Sequence, residues 1–269
     1  MPELPEVETT RRGIEASIVG REITGWQLRQ PRLRWPVVLP ERLRGERVLR
    51  VLRRAKYLVL ETAHGALIMH LGMSGSLRLL KVGSEPGRHD HVDLEFENRR
   101  VLRLTDPRRF GSIHYHDGDW RTHWLIKDLG VEPLEPEFDG DFLHRATRGR
   151  RVAIKQLLMD ARVVVGVGNI YANEALFRAG IRPRVAAGRI SQDRCGLLVT
   201  SVREVLEQAI GQGGTTLRDF VDGSGRRGYF SQALNVYGRD GLPCYQCGSV
   251  LKGLRIGQRA TVYCPNCQR

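Results

Sequence analysis

The sequence predicts an α+β chain: a β-rich N-terminal part, a helical middle and a small cysteine-held hairpin at the end. Three observations lead there. Short apolar runs alternate up to about His114, apolar residues recur at helical spacing beyond a proline-rich stretch, and the final segment holds two Cys-x-x-Cys pairs. A chain of 269 residues can bury a full core and divide into domains. The expected segments are 1–131, 132–234 and 235–269.

The first element is a helix that enters through Pro5, with Val7, Thr10, Ile14 and Ile18 on one face. Strands follow over 57–61, 66–71, 76–80, 91–96 and 101–105, separated by breaks that contain Gly or Asn. They suit a sandwich or a barrel, with crossed or aligned sheets equally open. Leu129 to Pro136 reads as a linker. Helices are then expected over 152–159, 173–179 and 191–210. The last of these spaces Cys195, Leu198, Val202, Val205, Leu206 and Ala209 along one face, which makes Cys195 a core residue. Gly211 to Tyr229 is rich in Gly, Thr, Asp, Ser and Arg and reads as a long functional loop.

Cys244, Cys247, Cys264 and Cys267 form two knuckles separated by 16 residues, the spacing of a four-thiolate zinc site. Zinc would replace the core that so short a hairpin cannot build. With 43 Lys+Arg against 30 Asp+Glu and a formal charge of +13, the chain suits a polyanionic partner. The start, MPELPEVETT, lacks the basic and apolar runs of a secretory signal, and no stretch is long and apolar enough to span a membrane.

Several motifs carry chemistry only in combination. Gly166-Val-Gly168-Asn-Ile-Tyr171 fails as a dinucleotide loop because Tyr171 stands where a third glycine is needed. It reads instead as a tight turn between helices whose amides, with Asn169, can meet a phosphate. Pro2-Glu3-Leu4-Pro5-Glu6 is explicable as an ordinary helix start. If Met1 is removed, however, Pro2 becomes a secondary amine with a pKa of about 8, nucleophilic near neutrality. Lys56 in RRAKY, Met73 in LGMSG, and Arg108 and Phe110 in TDPRRFG each have a bland reading as strand edge or turn. Apolar tips on a basic chain also suit insertion into an opened base stack.

Taken together, PELPEVE, RRAKYL, HLGMSGS, TDPRRFG, VGVGNIYANE, QGGTTLRDF with GYF, and the terminal YCPNCQ make the chain resemble the formamidopyrimidine-DNA glycosylase family over essentially its whole length. The resemblance implies an N-terminal β-sandwich, a helical domain with a helix-two-turn-helix motif and a zinc-ribbon hairpin. It implies a bacterial, nucleoid-associated, cytoplasmic monomer acting on double-stranded DNA that contains oxidised purines or abasic sites, with one structural Zn2+. Pro2 would attack C1′ and Glu3 would manage protons, while Lys56 would assist β-elimination and Arg259 δ-elimination. Met73, Arg108 and Phe110 would fill the space left by the flipped base. His89, Arg108, Arg150, Asn169, Tyr237 and Arg259 would bind DNA, and Lys155 and the loop 217–229 would lie near the extruded base. Glu6 would support the site or touch the base. Two rivals remain: the endonuclease VIII type, disfavoured by Leu4 and the complete Met73, Arg108 and Phe110 set, and a non-catalytic zinc-ribbon DNA-binding protein.

Overall fold

The structure, a computed structural model, describes residues 2–214 and 234–269. They fall into two compact units, one of residues 2–127 with 210–214 and the other of 128–209 with 234–269. The hairpin segment therefore folds with the helical segment in one unit.

The first unit opens with α1 (Leu4–Ile18), which buries Leu4, Val7, Thr10, Ile14 and Ile18 on the expected face. Gly20, at φ +76°, takes the left-handed conformation that ends the run. Eight strands follow: β1 (Ile23–Leu28), β2 (Arg50–Arg54), β3 (Tyr57–Glu61), β4 (Gly65–His70), β5 (Ser76–Lys81), β6 (Asp90–Phe96), β7 (Arg100–Thr105) and β8 (Ser112–Asp117). They pair antiparallel in two separate four-stranded sheets, β1-β6-β7-β5 and β2-β3-β4-β8. This is a sandwich rather than a closed barrel. One continuous core joins Val51, Leu58, Leu60 and Leu67 of one sheet to Leu77, Val92, Leu94 and Leu104 of the other, with Val7, Ile14 and Ile18 of α1. Contacts of α1 with β2, β3 and β5 place it along the side where β2 and β5 are the edge strands.

The second unit holds α2 (Gly140–Thr147), α3 (Ile154–Leu158), α4 (Asn169–Arg178), α5 (Gln192–Gly211, its last two residues in the first unit) and the hairpin β9 (Lys252–Ile256) and β10 (Arg259–Tyr263). The helix expected over 152–159 is shorter, because Ala153 is extended and bridges Ala186. That expected over 173–179 starts earlier, at Asn169, since Gly168 is its extended N-cap and Ile170 and Tyr171 already face the core. Residues 129–136 are pinned rather than free: Gly130 N–H donates to Ala161 O at 2.8 Å, and Val131 bridges Val164 in parallel. Cys195 is fully buried in α5, as its spacing predicts. Among the described residues no helix is long and apolar enough to cross a membrane.

Candidate active site

The start of α1 is buried. Glu3 is 2% exposed and Glu6 fully buried, and Pro2 is enclosed beside them. Glu3 is the N-cap and its backbone N–H donates to Glu6 Oε2 at 2.8 Å, so Glu6 ties down the first turn. Gly214, at φ +83°, runs close by: a Cβ there would lie 3.2 Å from Glu6 Oε1. Two buried carboxyl side chains beside Pro2 make an environment suited to proton handling.

Lys56 sits in the two-residue turn between β2 and β3, next to Tyr57, whose ring lies 4.9 Å from that of His70. His70 Nδ1 accepts the Gly72 N–H at 2.9 Å, which leaves the imidazole proton on Nε2. Burial, with the charges of Lys56 and Arg34 added, holds His70 down to about 4, so it is a neutral donor at physiological pH. His70 is a candidate phosphate ligand that the motif reading missed. The signal was present in the sequence, in a polar residue at the strand end of HLGMSGS.

Met73, Arg108 and Phe110 are brought together by one buried carboxylate. Asp106, fully buried, accepts Ser74 Oγ at 2.7 Å and the Gly111 N–H at 2.7 Å, while Ser74 Oγ accepts the Arg108 N–H at 3.2 Å. The two loops approach so closely that a Cβ on Gly72, at φ +63°, would lie 2.4 Å from Gly111 N. Arg108 stacks over the Phe110 ring at 5.0 Å, and Phe110 is left 45% exposed. His89 joins the same corner, its carbonyl accepting Asp106 N–H at 2.9 Å. Asp106 and Ser74 were not singled out from the sequence, where Asp-Pro reads simply as a turn.

In the second unit the four cysteine sulfurs lie within 4.8 Å of one another, with Cys244–Cys267 at 3.9 Å and Cys247–Cys264 at 3.5 Å. A tetrahedral zinc with bonds of about 2.3 Å needs sulfurs about 3.8 Å apart, so the cluster fits the ion. Burial and the neighbouring thiols disfavour charge on Cys267, and four thiolates can share this site only around a cation. Beyond it, Gly257 (φ +52°) and Gln258 (φ +64°) form a tight turn that presents exposed Arg259 at the head of β10.

The hairpin is fixed to the helices by buried polar side chains. Asn173 Oδ1 accepts Val262 N–H at 3.0 Å, and Glu174, 3% exposed, accepts the backbone N–H groups of Asn235, Val236 and Tyr237 at 2.8 to 2.9 Å. Glu174 thereby sets Tyr237, and it is a positioning residue that the sequence reading missed, although an acid on the buried face of a helix could have revealed it. Asn169 opens α4 behind its N-cap Gly168, with a buried Oδ1 that has no hydrogen-bond partner among the described residues. Arg150 is exposed in the loop after α2. Lys155 is fully buried in α3, and its Nζ donates to Ala260 O at 2.9 Å and Thr261 Oγ1 at 2.7 Å. That geometry makes Lys155 an anchor of the Arg259 strand, where the resemblance implies a place beside the base. The loop 217–229 lies outside the described residues.

Residues 1–113 match the formamidopyrimidine-DNA glycosylase N-terminal domain, 129–221 the formamidopyrimidine-DNA glycosylase H2TH domain, and 241–269 the zinc finger found in FPG and IleRS. The chain belongs to the formamidopyrimidine-DNA glycosylase family. Formamidopyrimidine-DNA glycosylases of Alkalilimnicola ehrlichii and Thioalkalivibrio sulfidiphilus are 56% and 57% identical to it, each aligned over 100% of both chains. Among solved structures, a point mutant of the Lactococcus lactis enzyme bound to Fapy-dG DNA superposes with a TM-score of 0.92 at 33% identity, covering 100% of both chains. The Lactococcus lactis enzyme with abasic-site DNA gives 0.91 at 33%, covering 99% of both. Family membership accounts for both the zinc finger and the sandwich.

Proposed function

We propose that this chain is a base-excision-repair glycosylase and abasic-site lyase that removes oxidised purines from duplex DNA, with Pro2 as its nucleophile. The observation that carries the reading is the buried Pro2-Glu3 terminus on a chain of this family. With Met1 removed, the Pro2 nitrogen forms a bond to C1′ as the glycosidic bond breaks and the base departs with a proton, for which Glu3 is the nearest carboxyl in sequence. A secondary amine condensed at C1′ can only become a charged iminium, which acidifies C2′–H. Lys56 assists removal of that proton, the 3′ phosphate leaves, and Arg259 assists the second elimination that releases the 5′ phosphate.

The remaining residues bind. Met73, Arg108 and Phe110 hold the duplex open, with Arg108 facing the orphaned cytosine. His89, Arg150, Asn169 and Tyr237 contact phosphates, and His70 is added to them on its donor geometry. Cys244, Cys247, Cys264 and Cys267 hold zinc, which supplies folding energy to the hairpin and leaves no open coordination position for catalysis. Segments 1–131, 132–234 and 235–269 are the working divisions, and the setting that fits is the nucleoid of a bacterial cytoplasm, with the protein as a monomer. The test is incubation with a duplex carrying 8-oxoguanine opposite cytosine. A one-nucleotide gap with phosphates on both ends supports the reading; release from oxidised pyrimidines alone points to the endonuclease VIII type, and no cleavage at all to a binding protein.

A further inference from the structure

We propose that Glu8 and Arg53 act as a positioning clamp that holds the turn carrying Lys56 in a strained conformation and so aims the lysine for elimination. The inference rests on the role given to Lys56 above. Ala55 and Lys56 are the two central residues of the β2–β3 turn, and Ala55, 3% exposed, has φ +56°. Among the described residues only three other non-glycine positions share that left-handed region, and Lys56 is not one of them. A positive φ at the first central position of a two-residue hairpin turn favours glycine. Alanine persists there only if its surroundings over-determine it.

What over-determines it is visible. Arg53 Nη1 donates to Ala55 O at 3.1 Å, and its Nε donates to Glu8 Oε2 at 3.3 Å, both side chains being 12% exposed. Glu8 also takes Arg11 Nε and Nη2, each at 3.0 Å, and Arg12 Nε at 2.8 Å. Arg11 in turn donates to Val51 O at 3.2 Å and pairs with Glu15 at 2.8 Å. Burial works to raise the Glu8 pKa, but hydrogen bonds from Arg11 and Arg12 and the charges of Arg11 and Arg53 prevail and hold it below the usual range. A helix that carries Pro2 and Glu3 at its head thus grips, one turn further on, the carbonyl that precedes Lys56. Fixing that carbonyl fixes the plane of the 55–56 peptide, and with it the direction in which the Lys56 side chain leaves the turn.

The network differs from a purely structural ion cluster in what it should control. On a duplex with a preformed abasic site, borohydride trapping reports the Pro2 amine, and strand scission without borohydride reports the elimination. Ala55→Gly accepts φ +56° without strain and should melt no lower than the parent. It also keeps the backbone carbonyl that Arg53 holds, so its trapping and scission rates should both stay within about two-fold of the parent. Arg53→Lys, whose single ammonium cannot hold both partners, should trap within about two-fold of the parent while scission slows about ten-fold, the effect of a misaimed group. Lys56→Ala is the control and should slow scission at least as much. Parental scission in Arg53→Lys with slow scission in Lys56→Ala overturns the clamp and leaves the lysine's role intact. Parental scission in Lys56→Ala removes that role and the clamp with it, and a parallel fall in trapping and scission reduces the network to structural support.

Discussion

Asp106 offers a perturbation whose size can be worked from its contacts. Its carboxylate is fully buried and accepts two donors at 2.7 Å, Ser74 Oγ and the Gly111 N–H. Hydrogen bonds to a charged group contribute about 1.5–3 kcal/mol each, so Asp106→Ala forfeits about 3 kcal/mol or more and strands a buried amide. Asp106→Asn is different. Its carbonyl can still accept Gly111 N–H, and its amide can donate to Ser74 Oγ, which already accepts Arg108 N–H at 3.2 Å, but the buried Ser74 O–H then loses the acceptor it has in Asp106. The loss is the charge assistance and that hydroxyl partner, about 1–2 kcal/mol. At about 2–4 °C per kcal/mol for a unit of this size, the melting point should fall by about 6–12 °C for alanine and 2–8 °C for asparagine. All four tryptophans, Trp26, Trp35, Trp120 and Trp124, lie in the first unit, so their fluorescence follows that transition. Single-turnover excision of 8-oxoguanine should slow in the same order, because the loops bearing Met73, Arg108 and Phe110 lose their common anchor. Equal melting points for alanine, asparagine and parent, or an asparagine variant as damaged as the alanine one, would refute the assignment of Asp106 as that anchor.

Three further outcomes are expected. Arg108→Ala should relax discrimination between cytosine and adenine opposite the lesion by a lost contact of about 1–3 kcal/mol, whereas Phe110→Ala should slow excision opposite every base; paired opposite-base excision rates decide, and a parallel Arg108→Ala profile makes the arginine a phosphate clamp. Chelation of zinc should lower DNA affinity while leaving the tryptophan transition in place, as read by fluorescence melting and a salt titration; unchanged affinity would contradict the role of the hairpin. His70 is held to about 4, below its unfolded value of 6.5, so the unfolded chain takes the proton first and stability is full above pH 6.5 and lost as pH falls toward 4. The slope should not exceed about 1.4 kcal/mol per pH unit from this group, and denaturant titrations of His70→Gln should show it flattened; an unaltered slope assigns the acid sensitivity elsewhere.

The elements legible in the sequence are those whose pattern has one physical cause. Val7, Ile14 and Ile18 mark α1 because a single helix face meets the core, and the cysteine spacing marks the hairpin because the ion dictates it. Alternation does not mark β1, where a register shift falls between Ile23 and Gly25, nor β2, whose Arg50, Arg53 and Arg54 interrupt the apolar pattern, the first two of them to form ion pairs. The eight-residue α2 has an apolar face, but it buries only Leu143 and Thr147 and so gives two points of a period. Pro2, Glu3, Lys56, Met73, Arg108 and Phe110 stand out as motifs, but the residues that place them do not. Asp106 and Glu174 act through partners 5 to 63 residues away in the chain, and Arg53 through a backbone carbonyl, and such pairings exist only once the chain has folded.

The central claim is that the mature N-terminal amine is the nucleophile, and borohydride trapping with intact-mass analysis tests it most directly. Protein lacking Met1 should form a stable adduct with abasic-site DNA, and peptide mapping should place the added mass on Pro2. Efficient trapping by protein that retains Met1, or an adduct mapped to Lys56 or any other lysine, would contradict the account.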